Sequence, residues 1–239
     1  VPNKIQFIAH RGVSGLAPEN TISAFNLAVK MGFPMIELDV QMTRDQQLVV
    51  IHDSTVNRTT NGAGAVADFR LAELRQLDAG SWFGREFSGE KIPTLLEVIH
   101  EVGGHCRLNI EVKKVNTGHS CRPIEEALIE ALSEGVSRQS YLVSSFDYAV
   151  LTRIHKLAPH IKLANLFSYL PLNLPKRIAA GILTAIHPHY FIVSKRMIET
   201  AHAHGLQVNV WTVDKPEQIL SLIDLGVDGI ITNYPKAFL

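Results

Sequence analysis

The sequence predicts an α/β chain folded as a distorted (β/α)8 TIM barrel, with a small insertion on the C-terminal face after a strand hairpin. Three observations carry this. Short β-branched runs alternate with amphipathic stretches almost to the end of the 239 residues. The strand-like runs number nine, one more than such a barrel needs. One consecutive pair of them is too close in sequence to be parallel.

The first strand is Ile5-Gln6-Phe7-Ile8-Ala9, and further runs fall at 35–40, 48–51, 107–112, 141–145, 161–166, 184–187, 207–212 and 228–232. Helix-like stretches lie near 20–31, 94–102, 123–134, 147–157, 174–182, 194–204 and 215–225. In the last, Ile219, Leu220, Leu222 and Ile223 form an apolar stripe, with Gly226 as the expected C-cap. Asp214 and Ser194 are expected N-caps of their helices. Only Gln41 to Gln47 separate runs 35–40 and 48–51, whereas a parallel crossover needs roughly a dozen residues. These two runs therefore pair as a hairpin turning near Arg44-Asp45-Gln46, which leaves eight parallel strands and returns His52 opposite Leu38. Residues 54–91 break the rhythm with Asn61-Gly62-Ala63-Gly64, a helical piece around Leu71–Leu77 and the aromatic turn Ser81-Trp82-Phe83-Gly84. They read as an insertion within one domain spanning 1–239, placed to lid or line a pocket at the strand ends.

Composition bounds the function. The chain is 46% hydrophobic and 19% charged, with 23 basic and 23 acidic residues. That is globular, and it announces no basic face for nucleic acid. No apolar run is long enough to span a bilayer, so stable membrane insertion is not expected. Cys106 and Cys121 have neither metal-ligand spacing nor a disulfide framework. A cytoplasmic location is the expectation; the start at Val1-Pro2-Asn3 leaves a periplasmic or secreted one open. Oligomeric state leaves no mark in the sequence.

Ionisable groups recur at strand ends. Glu37 and Asp39 point to one side of their strand, and Glu111 and Lys113 do likewise. Three carboxylates converging in one barrel mouth would need a counter-charge, which Ca²⁺ or Mg²⁺ would supply; the other reading makes Glu111 and Lys113 an ordinary surface pair. His10 ends the first strand and the hairpin brings His52 to the same face. Two imidazoles can serve as base and acid about one scissile bond. With Arg11 and Lys113 beside them, the natural reacting centre is an anionic phosphate. His187-Pro188-His189 and His202-Ala203-His204 are read as solvated histidines, with His187 a weak pocket candidate.

An ordered set of strings now resembles a known family. His10-Arg11-Gly12, Pro18-Glu19-Asn20-Thr21, Glu37-Leu38-Asp39-Val40, Thr43-Arg44-Asp45, His52-Asp53, Ile92-Pro93-Thr94-Leu95, Glu111-Val112-Lys113, Val210-Trp211-Thr212-Val213 and Asp228-Gly229-Ile230-Ile231-Thr232 look like the glycerophosphodiester phosphodiesterases. The resemblance implies a barrel related to phosphatidylinositol phospholipases that hydrolyses small glycerophosphodiesters to sn-glycerol 3-phosphate and an alcohol. It implies that Glu37, Asp39 and Glu111 hold the cation and that His10 and His52 do the acid–base work. Arg11 and Lys113 match phosphate-contacting positions, and Trp211 would wall the glycerol pocket. Asn20 is read as the cap of the first helix, with Glu19 or Asn20 also able to orient His10, and Asp53 as a cap or an orienter of His52. Two departures stand out: the family usually has Asp where this chain has Asn233, and often Asn where it has Asp214. Neither matches a catalytic position, so both are expected to be neutral caps or to tune substrate preference.

Three other readings are open to these residues. A zinc amidohydrolase would usually open with His-x-His, where this chain has His10-Arg11-Gly12. A lysophospholipase D acting at a membrane could use Trp82, Phe83 and Phe87 as a lipid-facing ridge. A barrel that only binds glycerophosphoesters would have lost one of His10, His52, Glu37, Asp39 or Glu111, and all five are present.

Overall fold

The computed structural model describes residues 5–113, 122–135 and 141–234. Strands β1 (Gln6–His10), β2 (Met35–Met42), β3 (Leu48–Val50), β4 (Arg107–Val112), β5 (Tyr141–Ser145), β6 (Leu163–Phe167), β7 (Ala185–Pro188), β8 (Gln207–Val210) and β9 (Gly229–Thr232) form one sheet. All adjacent pairs are parallel except β2 with β3, and β1 pairs with both β2 and β9. The sheet thus closes into an eight-stranded parallel barrel of the (β/α)8 type, with β3 as an extra antiparallel strand. The predicted hairpin is present, in the register Val40↔Val50, Gln41↔Val49 and Met42↔Leu48. Cys121 lies outside the described residues.

β2 explains how the hairpin fits a closed barrel. Its lower half pairs with β1, ending at His10↔Glu37, and its upper half pairs with β3. β1 stops where β3 takes over, so the chain after β3 rises directly above the end of β1. This is what brings His52 toward His10.

Helices α1 (Ile22–Lys30), α3 (Leu95–Val102), α4 (Ile124–Gly135), α5 (Tyr148–Leu157), α6 (Leu174–Ala179), α7 (Lys195–Ala203) and α8 (Pro216–Leu225) cover the barrel, and α2 (Leu71–Leu74) sits in the insertion. Their apolar faces and the outward faces of the strands form one large core. The ends follow local chemistry. Thr94 and Glu97 form a reciprocal capping box on α3, Asp147 and Ser194 cap α5 and α7, and Gly226 closes α8 at φ 100°. Two cap assignments from sequence are corrected. Thr21, not Asn20, caps α1, because Asn20 is at φ 58° with its side chain turned to Asp39. Asp214 does not cap α8; it is engaged by Thr232 and Asn233.

The insertion carries short 3-10 turns at Val66–Asp68 and Arg85–Phe87, and its Val56, Val66, Leu74 and Ala79 form a second core with Val49 of β3, Ile51 and Ile92. Trp82, Phe83 and Phe87 pack edge to face on one another there. No helix among the described residues is long and apolar enough to cross a membrane.

The turn after β1 is the tightest backbone approach near the mouth. Gly12 sits at φ 79°, and a Cβ there would lie 2.7 Å from Ala24. Gly32 shares the positive φ of 78° but faces open space. Gly12→Ala is therefore expected to lose on the order of 3 kcal/mol of stability and Gly32→Ala only about 1 kcal/mol, measured by urea denaturation.

Candidate active site

A cavity of about 240 Å³ opens at the C-terminal ends of the strands, lined by His10, Arg11, Glu37, His52, Asn109, Glu111, Lys113, Phe146, Leu166, Trp211, Thr212 and Ile231. Seven of the eight residues singled out from sequence line it. The eighth, Asp39, lies behind them and is bound by Lys113 and Arg11. No residue of the insertion lines the cavity, contrary to the expectation that the insertion would line it. A larger, open cleft of about 690 Å³ lies between the insertion, α1 and α3. Its lining includes the ion pair of Arg75 with Glu97, but it brings together no cluster of histidines and buried carboxylates comparable to that of the smaller cavity.

Glu37, Asp39 and Glu111 are buried and offer oxygens that all lie within 4.8 Å of one another. Lys113 Nζ bridges Asp39 at 2.8 Å and Glu111 at 2.5 Å. The Arg11 guanidinium lies 3.3 Å from Asp39 and 2.8 Å from Glu19, while its backbone N–H donates to Glu37 at 3.0 Å. Asn20 donates to Asp39 at 2.8 Å. Outside this set, Arg58 reaches from the insertion to grip both Glu19 and Asp53 at 2.7–3.0 Å.

This arrangement leaves negative charge uncompensated. Five carboxylates (Glu19, Glu37, Asp39, Asp53, Glu111) face three permanent cations (Arg11, Arg58, Lys113). The excess falls on the two acids with the weakest partners. Burial, then the neighbouring carboxylates, raises Glu37 well above its ordinary range, and burial with Asp39 pushes Glu111 up to about 7. Burial also opposes ionisation of Asp39, but Lys113 and Arg11 outweigh it and hold that carboxyl well below the usual range. An oxygen-rich, buried, doubly under-neutralised cluster fits a hard divalent cation, which would cancel the excess in one step.

The two histidines are held differently. His10 Nδ1 lies 2.6 Å from Asn233 Oδ1, and Asn233 Nδ2 donates to Asp214 at 2.7 Å. Because Asp214 accepts, the amide must present its oxygen to His10, and Nδ1 must carry the proton. Nε2 then holds a lone pair, 3.9 Å from Glu37. Burial and the adjacent Arg11 lower His10 to about 4. His52 Nδ1 instead lies 2.7 Å from Asp53, a carboxylate clamped by Arg58. Burial lowers His52 as well, aided by Lys113 and Arg11 and opposed by Asp39 and Asp53.

Sequence reasoning missed several of these contacts. Asn233 and Asp214, read as peripheral, form the support of His10, whereas Glu19 and Asn20 serve Arg11 and Asp39. Barrel closure makes the contact: Ala9 pairs with Thr232 across the closing seam, which sets Asn233 beside His10. Asp53 orients His52 as expected. Trp211 lines the cavity, donates its indole N–H to the His187 carbonyl at 2.7 Å and packs edge to face on Phe146. His187 is not solvated. It is buried inside the barrel below the cavity, against Asn209, and burial lowers it to about 3. His202 pairs with Asp228 and His204 with the Thr200 carbonyl, so that pair does not converge.

The sequence model described as the glycerophosphoryl diester phosphodiesterase family matches residues 10–237. A glycerophosphodiester phosphodiesterase from Caldanaerobacter subterraneus subsp. tengcongensis is 44% identical over 241 residues, covering 99% of this chain and 97% of that protein. Among solved structures, an Oleispira antarctica phosphodiesterase in complex with the product sn-glycerol-3-phosphate superposes with a TM-score of 0.90 at 34% identity, covering 97% of this chain and 94% of that one. A glycerophosphodiester phosphodiesterase from Agrobacterium tumefaciens gives 0.83 at 27% identity, covering 98% and 99%.

Two measurements check this geometry. Long-range ¹H–¹⁵N spectra should place the His10 proton on Nδ1 at neutral pH, and Asn233→Leu, which removes the acceptor, should release the ring into a mixture of tautomers. The buried histidines also leave a pH signature. Unfolded His187 takes up a proton near pH 6.5, whereas the folded form resists until about 3. Protons then favour the unfolded chain, so this residue lowers unfolding free energy by up to about 1.4 kcal/mol per pH unit below about 6.5. The raised Glu37 and Glu111 act in the opposite sense in the same window. The difference between wild type and His187→Gln in urea titrations, which cancels the carboxylates, should therefore grow as pH falls from about 6.5 toward 4.

Proposed function

The chain belongs to the glycerophosphoryl diester phosphodiesterase family, and from that premise we propose that its cavity hydrolyses small glycerophosphodiesters to sn-glycerol 3-phosphate and an alcohol. The observation that carries this is the pairing of two differently supported histidines with an under-neutralised carboxylate cluster in one cavity. In this reading Glu37, Asp39 and Glu111 hold one Ca²⁺ or Mg²⁺. When bound, that ion would supply Lewis-acid neutralisation of phosphate charge.

Arg11 and Lys113 complete the anion site from the protein side. Both are pinned by carboxylates, so they can face a phosphate without reorganising. His10 acts as the base. Its neutral ring points the Nε2 lone pair at the reacting centre and takes the proton of the attacking hydroxyl. Attack by water gives sn-glycerol 3-phosphate directly; attack by the substrate's own 2-hydroxyl gives a cyclic phosphate that water opens in a second step, with the two histidines exchanging roles. His52 acts as the acid. Asp53 favours its protonated form, and an arriving phosphodiester anion offsets Lys113 and Arg11, which otherwise depress it. It then hands a proton to the departing alkoxide. Trp211 and Phe146 form the apolar wall against which the glycerol carbons lie.

A coupled assay for glycerol 3-phosphate release with glycerophosphocholine and glycerophosphoethanolamine tests the reading. Activity should vanish with chelator and return with Ca²⁺ or Mg²⁺; recovery with Zn²⁺ alone would overturn the cation assignment. His10→Ala and His52→Ala should each lower kcat by about 10²–10⁴-fold with unchanged circular dichroism. Wild-type rates in either would sink the acid–base pair.

A further inference from the structure

One sector of the barrel mouth differs in charge and polarity from the rest. None of the 23 Asp and Glu falls between residues 148 and 198, whereas seven of the 23 Lys and Arg do. Within that span, the loops following β6 and β7 leave the mouth end of the barrel and carry large apolar side chains into solvent. Tyr169 is 84% exposed, Leu170 62% and Phe191 75%, and Leu172 is fully exposed. Each loop then enters its helix through a basic pair, Lys176-Arg177 in α6 and Lys195-Arg196 in α7. Arg177 is committed to Asn165 and the Tyr148 ring. Lys176, Lys195 and Arg196 are exposed and make no ion pair among the described residues.

We propose that this sector docks on an anionic lipid surface, with the cavity mouth held at the level of the headgroups. The order along the chain suits such an interface. In each loop the exposed apolar residues (Tyr169, Leu170 and Leu172, then Phe191) come before the helix that carries the basic residues. Apolar groups can thus enter the boundary between headgroups and acyl chains while ammonium and guanidinium groups meet the lipid phosphates. An acidic protein or a nucleic acid would match the charge but would leave Leu170 and Leu172 without an apolar environment. The sector is continuous with the cavity, because Phe146, on the adjoining β5 loop, both lines the cavity and packs on Trp211. The ridge of Trp82, Phe83 and Phe87 weighed from the sequence is not part of this surface, since those rings lie in the insertion and pack on one another. The proposal rests on the functional reading only in taking the cavity as the active site, and vesicle binding is measured without turnover, so the two fail separately.

The test is co-sedimentation with vesicles of phosphatidylcholine alone or mixed with phosphatidylglycerol, followed by the same measurement on Leu170→Glu/Leu172→Glu and on Lys195→Glu/Arg196→Glu. The wild-type protein should bind the anionic vesicles at least about tenfold more than the neutral ones, and the bound fraction should fall as salt rises. Both double variants should lose that binding while hydrolysing water-soluble glycerophosphocholine at the wild-type rate. Equal binding to both vesicle types, no binding to either, or binding that survives the substitutions would overturn the proposal. So would a dimer in light scattering that Leu170→Glu/Leu172→Glu dissolves, because the surface would then belong to a second copy.

Discussion

Uncompensated negative charge at the mouth of the barrel is the constraint on which the rest of the site depends. Burying a carboxylate without a partner costs several kcal/mol, and Glu37, Asp39 and Glu111 are all buried. Arg11, Lys113 and Asn20 are spent on holding Asp39 ionised, while Arg58 crosses from the insertion to hold Glu19 and Asp53. What remains raises the proton affinity of Glu37 and Glu111. In the proposed reading, a cation held there would compete with protons for the same oxygens and release acid on binding.

The geometry that permits this clustering comes from one long strand. β2 changes partner halfway, from β1 to β3, so residues above Glu37 remain in the sheet after β1 has ended. Asp39 lies on that upper half, and His52 follows directly from β3. A short β2 of ordinary length would place one carboxylate at the mouth and leave the second histidine without a fixed route back to it.

Much of the site was legible because strand alternation fixes the facing of Glu37 with Asp39 and of Glu111 with Lys113, whatever the rest of the chain does. The hairpin was legible because seven residues cannot make a parallel crossover. What escaped depends on closure and on irregular backbone. Asn233 was noticed as a departure, yet its contact with His10 spans 223 positions in sequence and exists only because β9 pairs with β1. Asn20 and Thr21 are both able to cap a helix, and only the left-handed backbone at Asn20 decides between them. Arg58 sits in a segment without periodicity, so no pattern announced that it would stabilise two carboxylates of the mouth. His187, a weak pocket candidate on its strand, reads as solvated because histidines at such spacing usually sit at a surface; its burial inside the barrel depends on which way β7 faces once the sheet closes.

The separate core of the insertion has a kinetic side. Val56, Val66, Leu74, Ala79 and Ile92 pack with Val49 of β3 and Ile51, in a cluster distinct from the large core of the barrel. A segment with a core distinct from the main one can open as its own cooperative unit, ahead of global unfolding. Each such opening would withdraw Arg58 and leave Glu19 and Asp53 momentarily without their common partner. The barrel would stay folded while the support of His52 flickered. Amide exchange in the insertion thus becomes a clock for the lifetime of the organised mouth, independent of the stability of the scaffold beneath it.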